Sequence, residues 1–316
     1  MKLAILGAGA VGRSVAELAG EYGHRVTALA DSSGAAVDAD GLDVDATLAR
    51  KDETGAVGDE SVEAALDTEY DALVEATPTT LDDAQPGFGH VEAALARDRH
   101  VVLANKGPVA ERYDEVRALE ADSEGRVLFE ATVAGAIPTL STVRSLGPER
   151  VNAVRGVLNG TANFVLSRMA AEGLDYEHVL AEAQDLGVAE ADPSFDVEGT
   201  DAALKCVILA NVLYDGGYTL DDAEVAGIRS IPGSALELAA EDGRTVRLIG
   251  EVADGAVRVG PRLVPEHGTL AVSGTTNIVQ LETDHAGRLN ISGAGAGGPE
   301  TASAVLADVG LLEPLE

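Results

Sequence analysis

The glycine-rich segment "GAGAVG" at residues 7–12 constrains the fold of this chain more than any other feature. It follows the apolar run "KLAIL" and opens a helix-like stretch. In this setting the three glycines permit a tight turn, a close approach of the backbone to a pyrophosphate, and close packing of helix on strand. The helix N-terminus offers unpaired N–H groups to an anion. The segment predicts a dinucleotide-binding loop formed by Gly7, Gly9, Ala10, Val11 and Gly12.

Asp31 bears on which dinucleotide is bound. It ends the run "RVTALAD", nineteen residues after Gly12. An acid at this point of such a fold bonds the adenosine ribose hydroxyls of NAD and repels the 2′-phosphate of NADP. The next bases, Arg50 and Lys51, lie about twenty residues further along. The sequence predicts NAD or NADP and modestly favours NAD, although a folded loop could bring Lys51 close and reverse the preference.

The spacing of apolar runs predicts two domains. Through residue 133, short aliphatic runs alternate with helical patterns, which is typical of a Rossmann-like doubly wound parallel sheet. From 134 to 293 the alternation is lost, and hairpin-like patterns in 244–264 and 276–293 predict an α+β domain. A glycine-rich loop and short helix in 294–316 are expected to pack back on the first domain. The predicted elements are strands at 2–6, 25–31, 71–78, 100–106 and 125–133, and helices at 13–23 and 89–98.

The charge of the chain excludes some classes of partner. The sequence has 54 acidic and 22 basic side chains, for a net charge of −32, which repels nucleic acid and anionic membranes. The acids are spread along the whole chain, as expected of a protein in a halophilic cytoplasm. A single cysteine, Cys206, indicates a reducing compartment. Glycines interrupt the first apolar run and no apolar run reaches about 18 residues, so we expect neither a signal peptide nor a membrane span. We therefore expect a cytoplasmic protein that binds small molecules.

Lysine is scarce, so each lysine near a predicted site is informative. Only four of the 22 bases are lysine. Lys106 in "ANKGP" and Thr77 in "EATP" follow predicted strands, where open α/β sheets bind ligands. A solvent-exposed cation is the ordinary alternative for Lys106.

A second lysine, Lys205, lies four residues after Asp201, so both side chains share one face of a helix. An exposed ion pair is the simplest interpretation of that spacing, and it would be worth only about 0.3–0.5 kcal/mol. The apolar run that follows, "CVILANVL", favours a buried helix instead, and a partly buried ammonium is a candidate proton donor. Upstream, Glu190, Asp192 and Asp196 are either ordinary acids before a helix or ligands for a substrate ammonium group.

These motifs together resemble the homoserine dehydrogenases, which interconvert homoserine and aspartate 4-semialdehyde. The resemblance covers nearly the whole chain, and its most specific block is "LGVAEADPSFDVEGTDAALK" at 186–205. The supporting motifs are "GAGAVG", "ANKGP", "EATVAGAIP" at 130–138, "NGTANFVL" at 159–166 and "GAGAGGPETASAVLADV" at 293–309. The resemblance implies an NAD(P)-dependent oxidoreductase of threonine and methionine biosynthesis.

The resemblance also implies residue roles. Lys205 would be the proton donor, Asp201 would position it and contact substrate, Glu190 would hold the substrate ammonium, and Asp196 is a further substrate-side candidate. Lys106 would sit at the junction of nicotinamide and substrate. Further cofactor contacts would come from Thr77, Gly187 and Gly297.

Three further expectations follow from the resemblance. A structural sodium or other monovalent cation would be held by Glu130, Val133, Gly135 and Ile137, largely through backbone carbonyls. A homodimer would form through strands of the second domain, and a C-terminal regulatory domain is not expected. Two alternatives stay open on sequence alone: a non-catalytic NAD-sensing regulatory protein, and a Rossmann dehydrogenase for another semialdehyde or amino acid.

Overall fold

The first sheet consists of six short strands, and most of their residues are buried. The computed structural model describes residues 1–314, and Met1–Ala136 with the described residues from Gly297 onward form one compact unit. Its elements up to residue 136 are β1 (Lys2–Leu6), α1 (Ala10–Ala19), β2 (Arg25–Asp31), β3 (Gly34–Val37), α2 (Val44–Thr54), α3 (Val62–Asp67), β4 (Ala72–Glu75), α4 (Gly87–Leu95), β5 (His100–Leu103), α5 (Gly107–Glu111), α6 (Tyr113–Ala121), β6 (Val127–Leu128) and a 3₁₀ helix (Glu130–Thr132).

The strand order β3-β2-β1-β4-β5-β6 is that of a doubly wound nucleotide-binding sheet. All pairs are parallel except β2 with β3, which form a hairpin. The chain leaves β1 toward one edge of the sheet and returns at β4 to build the other edge. Ligands bind outside the carboxyl ends of strands at such a switch point. The loops after β1 and β4 therefore lie where a dinucleotide is expected.

Three elements of the first unit differ clearly from the sequence prediction. The strand expected at 125–133 is only Val127–Leu128, because the chain turns into the 3₁₀ helix where the Glu130 N–H donates to the Asp308 carboxylate at 2.7 Å. The helix expected at 13–23 starts at Ala10 and ends at Ala19, before Gly20. The hairpin strand β3 was not predicted, since "GAAV" carries neither alternation nor β-branched residues before its last position.

The second unit, Ile137–Ala296, contains a six-stranded sheet with helices. Its elements are α7 (Thr139–Leu146), a 3₁₀ helix (Pro148–Arg150), β7 (Val151–Val157), α8 (Gly160–Glu172), α9 (Tyr176–Asp185), α10 (Ser194–Val197), α11 (Thr200–Tyr214), a 3₁₀ helix (Leu220–Asp222), β8 (Ala223–Val225), α12 (Gly233–Glu241), β9 (Arg244–Ala253), β10 (Ala256–Pro265), β11 (Thr276–Thr283) and β12 (Arg288–Ala294). The hairpins predicted in 244–264 and 276–293 are confirmed as β9–β10 and β11–β12.

The strand order of this sheet is β12-β11-β7-β9-β10-β8, antiparallel except between β10 and β8. Helix α11 is buried on all sides over residues 201–211, which explains its continuous apolar run. It packs so closely on β9 that a Cβ at Gly250 would come within 2.5 Å of the Cys206 sulfur. Burial raises the pKa of Cys206 to about 12, so this thiol is a packing residue.

The last helix, α13 (Gly298–Val309), belongs to the first unit and packs along α1. A Cβ at Gly298 would lie 2.9 Å from the Ala10 carbonyl oxygen, so only glycine permits this approach. Within residues 1–314, no helix combines the length and apolar character needed to cross a bilayer.

Candidate active site

The loop after β1 has the shape of a cradle for a dinucleotide. Gly7 has φ +105°, and a Cβ there would come within 2.3 Å of the Ala76 carbonyl oxygen. A Cβ on Gly12 would lie 1.7 Å from the Gly7 carbonyl oxygen, so this glycine brings α1 against the strand. Gly9 is exposed, and a Cβ added to it would have no neighbour within 4 Å, so its outer side is open for a ligand. The loop fits the pyrophosphate of NAD or NADP.

Asp31 lies at the carboxyl end of β2 and is paired with Lys51 of α2. Its second oxygen accepts the Ser33 N–H at 2.8 Å and the Ser33 hydroxyl. Burial opposes ionisation of Asp31, but the hydrogen bonds from Lys51 and Ser33 outweigh burial, and the pKa of Asp31 lies below its ordinary value. The pairing with Lys51 was left open by the sequence, because the two residues are twenty positions apart.

Thr77 and Lys106 lie on neighbouring loops of the first unit, after β4 and β5. The Lys106 N–H donates to the Thr79 hydroxyl at 3.3 Å, which links the two loops. Both Thr77 and Lys106 are partly exposed at the carboxyl ends of the parallel strands. In the same unit, Gly297 immediately precedes α13, whose first residues lie beside α1 and the glycine-rich loop.

The second unit holds a buried charged cluster around Lys205. The Lys205 ammonium donates to an Asp201 carboxylate oxygen at 2.7 Å and to the Leu158 carbonyl oxygen at 2.6 Å. The Lys205 side chain is 7% exposed and that of Asp201 10%, so the pair is not the exposed ion pair that the spacing also allowed. Two of the three N–H bonds are used by these acceptors, which leaves one for an incoming oxygen.

Asn159 connects this pair to Asp196. Its amide nitrogen lies 2.6 Å from an Asp196 oxygen and 2.9 Å from Asp201 Oδ2, the same oxygen that accepts from Lys205. Its own carbonyl oxygen accepts the Ala162 N–H at 2.8 Å and so caps α8. Because this cap fixes which amide atom points at the acids, Asn159 orients both carboxylates. The sequence motif "NGTANFVL" contained Asn159 but gave no reason to separate it from its neighbours.

Burial raises the pKa of Asp196, and the nearby Asp201 charge adds to the effect, although hydrogen bonds from Asn159 and Thr161 and the Lys205 charge oppose it. Two carboxylates facing one ammonium leave the cluster short of positive charge. This is a suitable environment for a second cation, such as the ammonium group of an amino acid.

We expect Asp196→Asn to raise the melting temperature at pH 7. A carboxyl whose pKa is raised on folding stabilises the folded state only when it is protonated. Its contribution is present below the unfolded pKa of about 3.9 and is lost as the pH rises through the folded pKa. Asparagine imitates the protonated form at every pH. Thermal melts of both proteins from pH 3.5 to 8 test this, and a melting temperature that does not rise at pH 7 would contradict it.

Glu190 and Gly187 are not drawn into this cluster. Both are exposed in the segment that follows α9, and the Glu190 carboxylate forms no hydrogen bond or ion pair with any residue in the described part of the chain. The segment is tied to α8, since the Thr161 hydroxyl donates to the Val188 carbonyl oxygen at 3.1 Å. The exposed Glu190 carboxylate is therefore available to bind a ligand.

The residues expected to hold a cation start at Glu130, the first residue of the 3₁₀ helix, and continue beyond the end of that helix. Glu130 is 4% exposed, and the next turn contains two consecutive left-handed residues, Ala134 with φ 60° and Gly135 with φ 57°. In such a turn the backbone carbonyls lie outside the regular hydrogen bonding of a helix or sheet. This suits a cation site made of carbonyl oxygens. Across residues 1–314, no group of three or more His, Cys, Asp or Glu side chains has a metal-binding arrangement.

Comparison with known families decides where this site belongs. The model of the family described as "Homoserine dehydrogenase" matches residues 137–309, more than half of the chain, including the Asn159–Asp196–Asp201–Lys205 cluster. The chain belongs to the homoserine dehydrogenase family. A model described as "Glutamate/Leucine/Phenylalanine/Valine dehydrogenase" matches residues 1–86, which contain the glycine-rich loop and Asp31. Members of the homoserine dehydrogenase family are NAD(P)-dependent oxidoreductases, so the interpretation as a non-catalytic sensor is not supported.

Individual relatives agree over almost the whole length. The chain is 40% identical to a homoserine dehydrogenase from Methanocaldococcus jannaschii, covering 98% of this chain and 97% of that one. It is 35% identical to an NAD(+)-dependent homoserine dehydrogenase from Pseudomonas canavaninivorans, covering 98% and 95%. Each of these two alignments therefore spans nearly all of this chain and nearly all of the relative.

Solved structures show the same fold. A protein from Archaeoglobus fulgidus assigned as a homoserine dehydrogenase superposes with a TM-score of 0.91 at 41% identity, covering 98% of each chain. A hyperthermophilic archaeal homoserine dehydrogenase in complex with NADPH gives a TM-score of 0.86 at 28% identity, covering 100% of this chain and 99% of that one. The Rossmann-like sheet of the first unit is thus that of a homoserine dehydrogenase.

Proposed function

We propose that this chain catalyses the reversible transfer of hydride between L-homoserine and L-aspartate 4-semialdehyde, with Lys205 as the proton donor to the aldehyde oxygen. The observation that carries the proposal is the buried Lys205 ammonium held between the Asp201 carboxylate and the Leu158 carbonyl oxygen. The first unit would hold the cofactor and the second unit the substrate. L-homoserine, the product of the reducing direction, would enter threonine and methionine biosynthesis.

The residue types suit this chemistry. The bound nicotinamide supplies or accepts the hydride. As the aldehyde carbon accepts hydride, its oxygen becomes an alkoxide that needs a positive charge and then a proton. Lys205 provides both, whereas arginine, the common base of this chain, is a poor acid. Asp201 and the Leu158 carbonyl keep the ammonium in one place, so the donor is already oriented when substrate binds.

The acids of the second unit would bind the amino-acid end of the substrate. We propose that the exposed Glu190 carboxylate pairs with the substrate ammonium group, with Asp196 and Asp201 adding negative charge on the substrate side. Lys106, on the loop after β5 in the first unit, is proposed to contact the nicotinamide ribose or the substrate. Gly187 and Gly297 are proposed as backbone contacts of the cofactor.

We propose that NAD is preferred over NADP. The low pKa of Asp31 keeps it ionised, and its charge opposes a 2′-phosphate while its oxygens suit ribose hydroxyls. Lys51 does lie beside Asp31, which weakens the preference, but its ammonium is held by that carboxylate and would have to leave it to bind a phosphate. The discrimination should therefore be modest.

The experiment that tests the proposed function is a spectrophotometric assay of homoserine oxidation with NAD and with NADP, run in dilute buffer and in molar salt. We expect reduction of the nicotinamide that depends on homoserine, a higher kcat/KM with NAD, and higher activity in molar salt because of the net charge of −32. No turnover of homoserine with either cofactor would refute the activity. A higher kcat/KM with NADP would refute the preference, and equal activity in both buffers would refute the salt requirement and with it a halophilic cytoplasm.

We also propose the structural monovalent cation at Glu130, Val133, Gly135 and Ile137. Support comes from the buried Glu130 and the paired left-handed residues 134 and 135. Melting temperatures compared in sodium, potassium and tetramethylammonium chlorides at equal ionic strength would separate a specific cation from general screening.

A homodimer formed through the second sheet is supported by one face of that sheet. Side chains on one face of the sheet form a row of alternating charge, which we call the ion row: Arg288 on β12, Glu282 on β11, Arg155 on β7, Glu251 on β9, Arg258 on β10 and Glu224 on β8. Neighbours in this row are direct cross-strand partners except Glu282 and Arg155, which are diagonal to each other because Gln280 lies opposite Arg155. Arg155 bridges Glu251 at 2.6 Å and Glu282 at 3.0 Å. The row faces away from α11, because Gly250, the neighbour of Glu251, faces Cys206.

An alternating row is complementary to itself. A two-fold axis through its middle reverses the order, so each arginine of one copy meets a glutamate of the other. We expect Arg288→Glu to raise the dimer dissociation constant by about tenfold in low salt and less in molar salt, because surface charges are screened. Sedimentation equilibrium measures this. Arg97→Glu, which breaks the Arg97–Asp67 pair of the first unit, is the control. A monomeric wild type, or equal effects of both variants, would refute the interface.

A further inference from the structure

One buried carboxylate of the first unit has no part in the roles described so far. Glu75 ends β4 and is 0% exposed. In the described chain it pairs with neither lysine nor arginine, and its one ionisable partner is His90 of α4, whose Nδ1 lies 2.6 Å from Glu75 Oε2. A buried carboxylate with so little compensating charge is costly, and an apolar residue of similar size would ordinarily serve stability as well. Its presence calls for a role beyond packing.

The other oxygen of Glu75 accepts hydrogen bonds from both loops at the carboxyl ends of β4 and β5. Oε1 accepts the Thr77 N–H at 2.9 Å, the Thr77 hydroxyl, and the Asn105 amide at 3.3 Å. Three donors from two different loops thus share one acceptor atom. The orientation of the Thr77 side chain is fixed as a result, since both its N–H and its hydroxyl bind the same oxygen.

Asn105 links Glu75 to the backbone on either side of Lys106. Its amide nitrogen also lies 3.1 Å from the Thr77 hydroxyl, and its carbonyl oxygen accepts the Gly107 N–H at 2.9 Å. The residues on both sides of Lys106 are therefore held by one side chain, and that side chain is held by Glu75. A Cβ at Gly87 would come within 2.5 Å of the Asn105 amide nitrogen, so α4 leaves this amide no room to turn.

We propose that Glu75 is a positioning residue that fixes Thr77 and, through Asn105, the backbone carrying Lys106. The inference rests on the proposed function, because Thr77 and Lys106 have their roles there. Charge matters to this arrangement less than acceptor geometry. Glutamine keeps an oxygen where Oε1 lies and places an amide opposite His90 Nδ1, whereas leucine removes every acceptor.

The test compares Glu75→Leu and Glu75→Gln with the wild type, by kcat and KM for homoserine oxidation and by NADH binding from fluorescence. We expect Glu75→Leu to lower kcat/KM for the cofactor by about 10- to 100-fold, as misplaced reacting groups do. Glu75→Gln should recover most of that loss. Thr27→Val is the control: Thr27 is also fully buried in this unit and donates to the Glu69 carbonyl oxygen at 3.0 Å, away from both loops.

A purely structural role predicts a different pattern. Glu75→Leu and Thr27→Val would then lower the melting temperature alike and leave kcat, KM and NADH binding of the folded protein unchanged, which would overturn the inference. If Glu75→Leu does not fold, Asn105→Ala decides, since it cuts the link to Lys106 without touching the carboxylate. Wild-type constants in Asn105→Ala would overturn the inference as well. A wild type that binds NADH but does not oxidise homoserine would refute the proposed function and not the positioning of Thr77, which NADH binding still reports.

Discussion

Replacing Lys205 by alanine should lower kcat for homoserine oxidation by about 100-fold or more, the usual scale for loss of a general acid–base group. The group that protonates the alkoxide during reduction accepts the hydroxyl proton during oxidation, and the variant removes that group from the buried cluster. The cofactor is proposed to bind the other unit, so NADH binding measured by fluorescence should stay near the wild-type value. Stopped-flow and steady-state rates at saturating homoserine give the measurement.

Two controls make the Lys205 prediction specific. Lys205→Arg keeps a cation beside Asp201 but supplies a far weaker acid, so its kcat should stay well below that of the wild type. Lys2→Ala removes a lysine from an ion pair with Glu69 in the first unit and should leave kcat unchanged. Wild-type turnover in Lys205→Ala would remove Lys205 from the mechanism. Equal losses in Lys2→Ala and Lys205→Ala would point to a general effect of charge.

Alanine at Gly9 should weaken cofactor binding without changing stability, whereas alanine at Gly12 should lower stability. Gly9 has open space on its outer side, so Gly9→Ala should fold with an unchanged melting temperature while raising KM for NAD and NADP by 10-fold or more, on the order of one lost close contact with the pyrophosphate. Gly12→Ala places a methyl group 1.7 Å from the Gly7 carbonyl oxygen. It should lower the melting temperature, because α1 must move away from β1.

The Gly9→Ala and Gly12→Ala proteins are compared with the wild type by differential scanning fluorimetry with and without NADH, and by KM for NAD and NADP. Gly23→Ala is not a suitable control, because its φ of 76° would strain alanine by itself. Gly20→Ala is better matched, since Gly20 has φ −62° and nothing within 4 Å of a Cβ position. A Gly9→Ala protein with wild-type KM for both cofactors would show that the cofactor does not approach this glycine.

Several parts of the fold were predictable because the sequence signal is local. The glycine-rich loop between β1 and α1 needs residues within six positions of each other, and the β9–β10 and β11–β12 hairpins follow from alternation around Gly-containing turns. Lys205 and Asp201 could be paired because helical spacing fixes neighbours four residues apart. The shortened strand β6 was missed because a contact between distant residues, that of Glu130 with Asp308, decides where it ends. The antiparallel β3 was missed although its pairing with β2 is local, because its residues lack alternation and strand propensity.

The sequence by itself determined the chemistry of the site: a dinucleotide loop, an acid after the second strand, and a lysine four residues from a carboxylate ahead of an apolar run. Only the tertiary structure decided how that chemistry is held. Asn159, Asp196 and the Leu158 carbonyl come to Lys205 from elements up to 47 residues apart, and Glu75 joins two loops 28 residues apart. Burial, shared hydrogen bonds and charge compensation depend on distances between such segments, and periodicity along a chain carries no record of those distances.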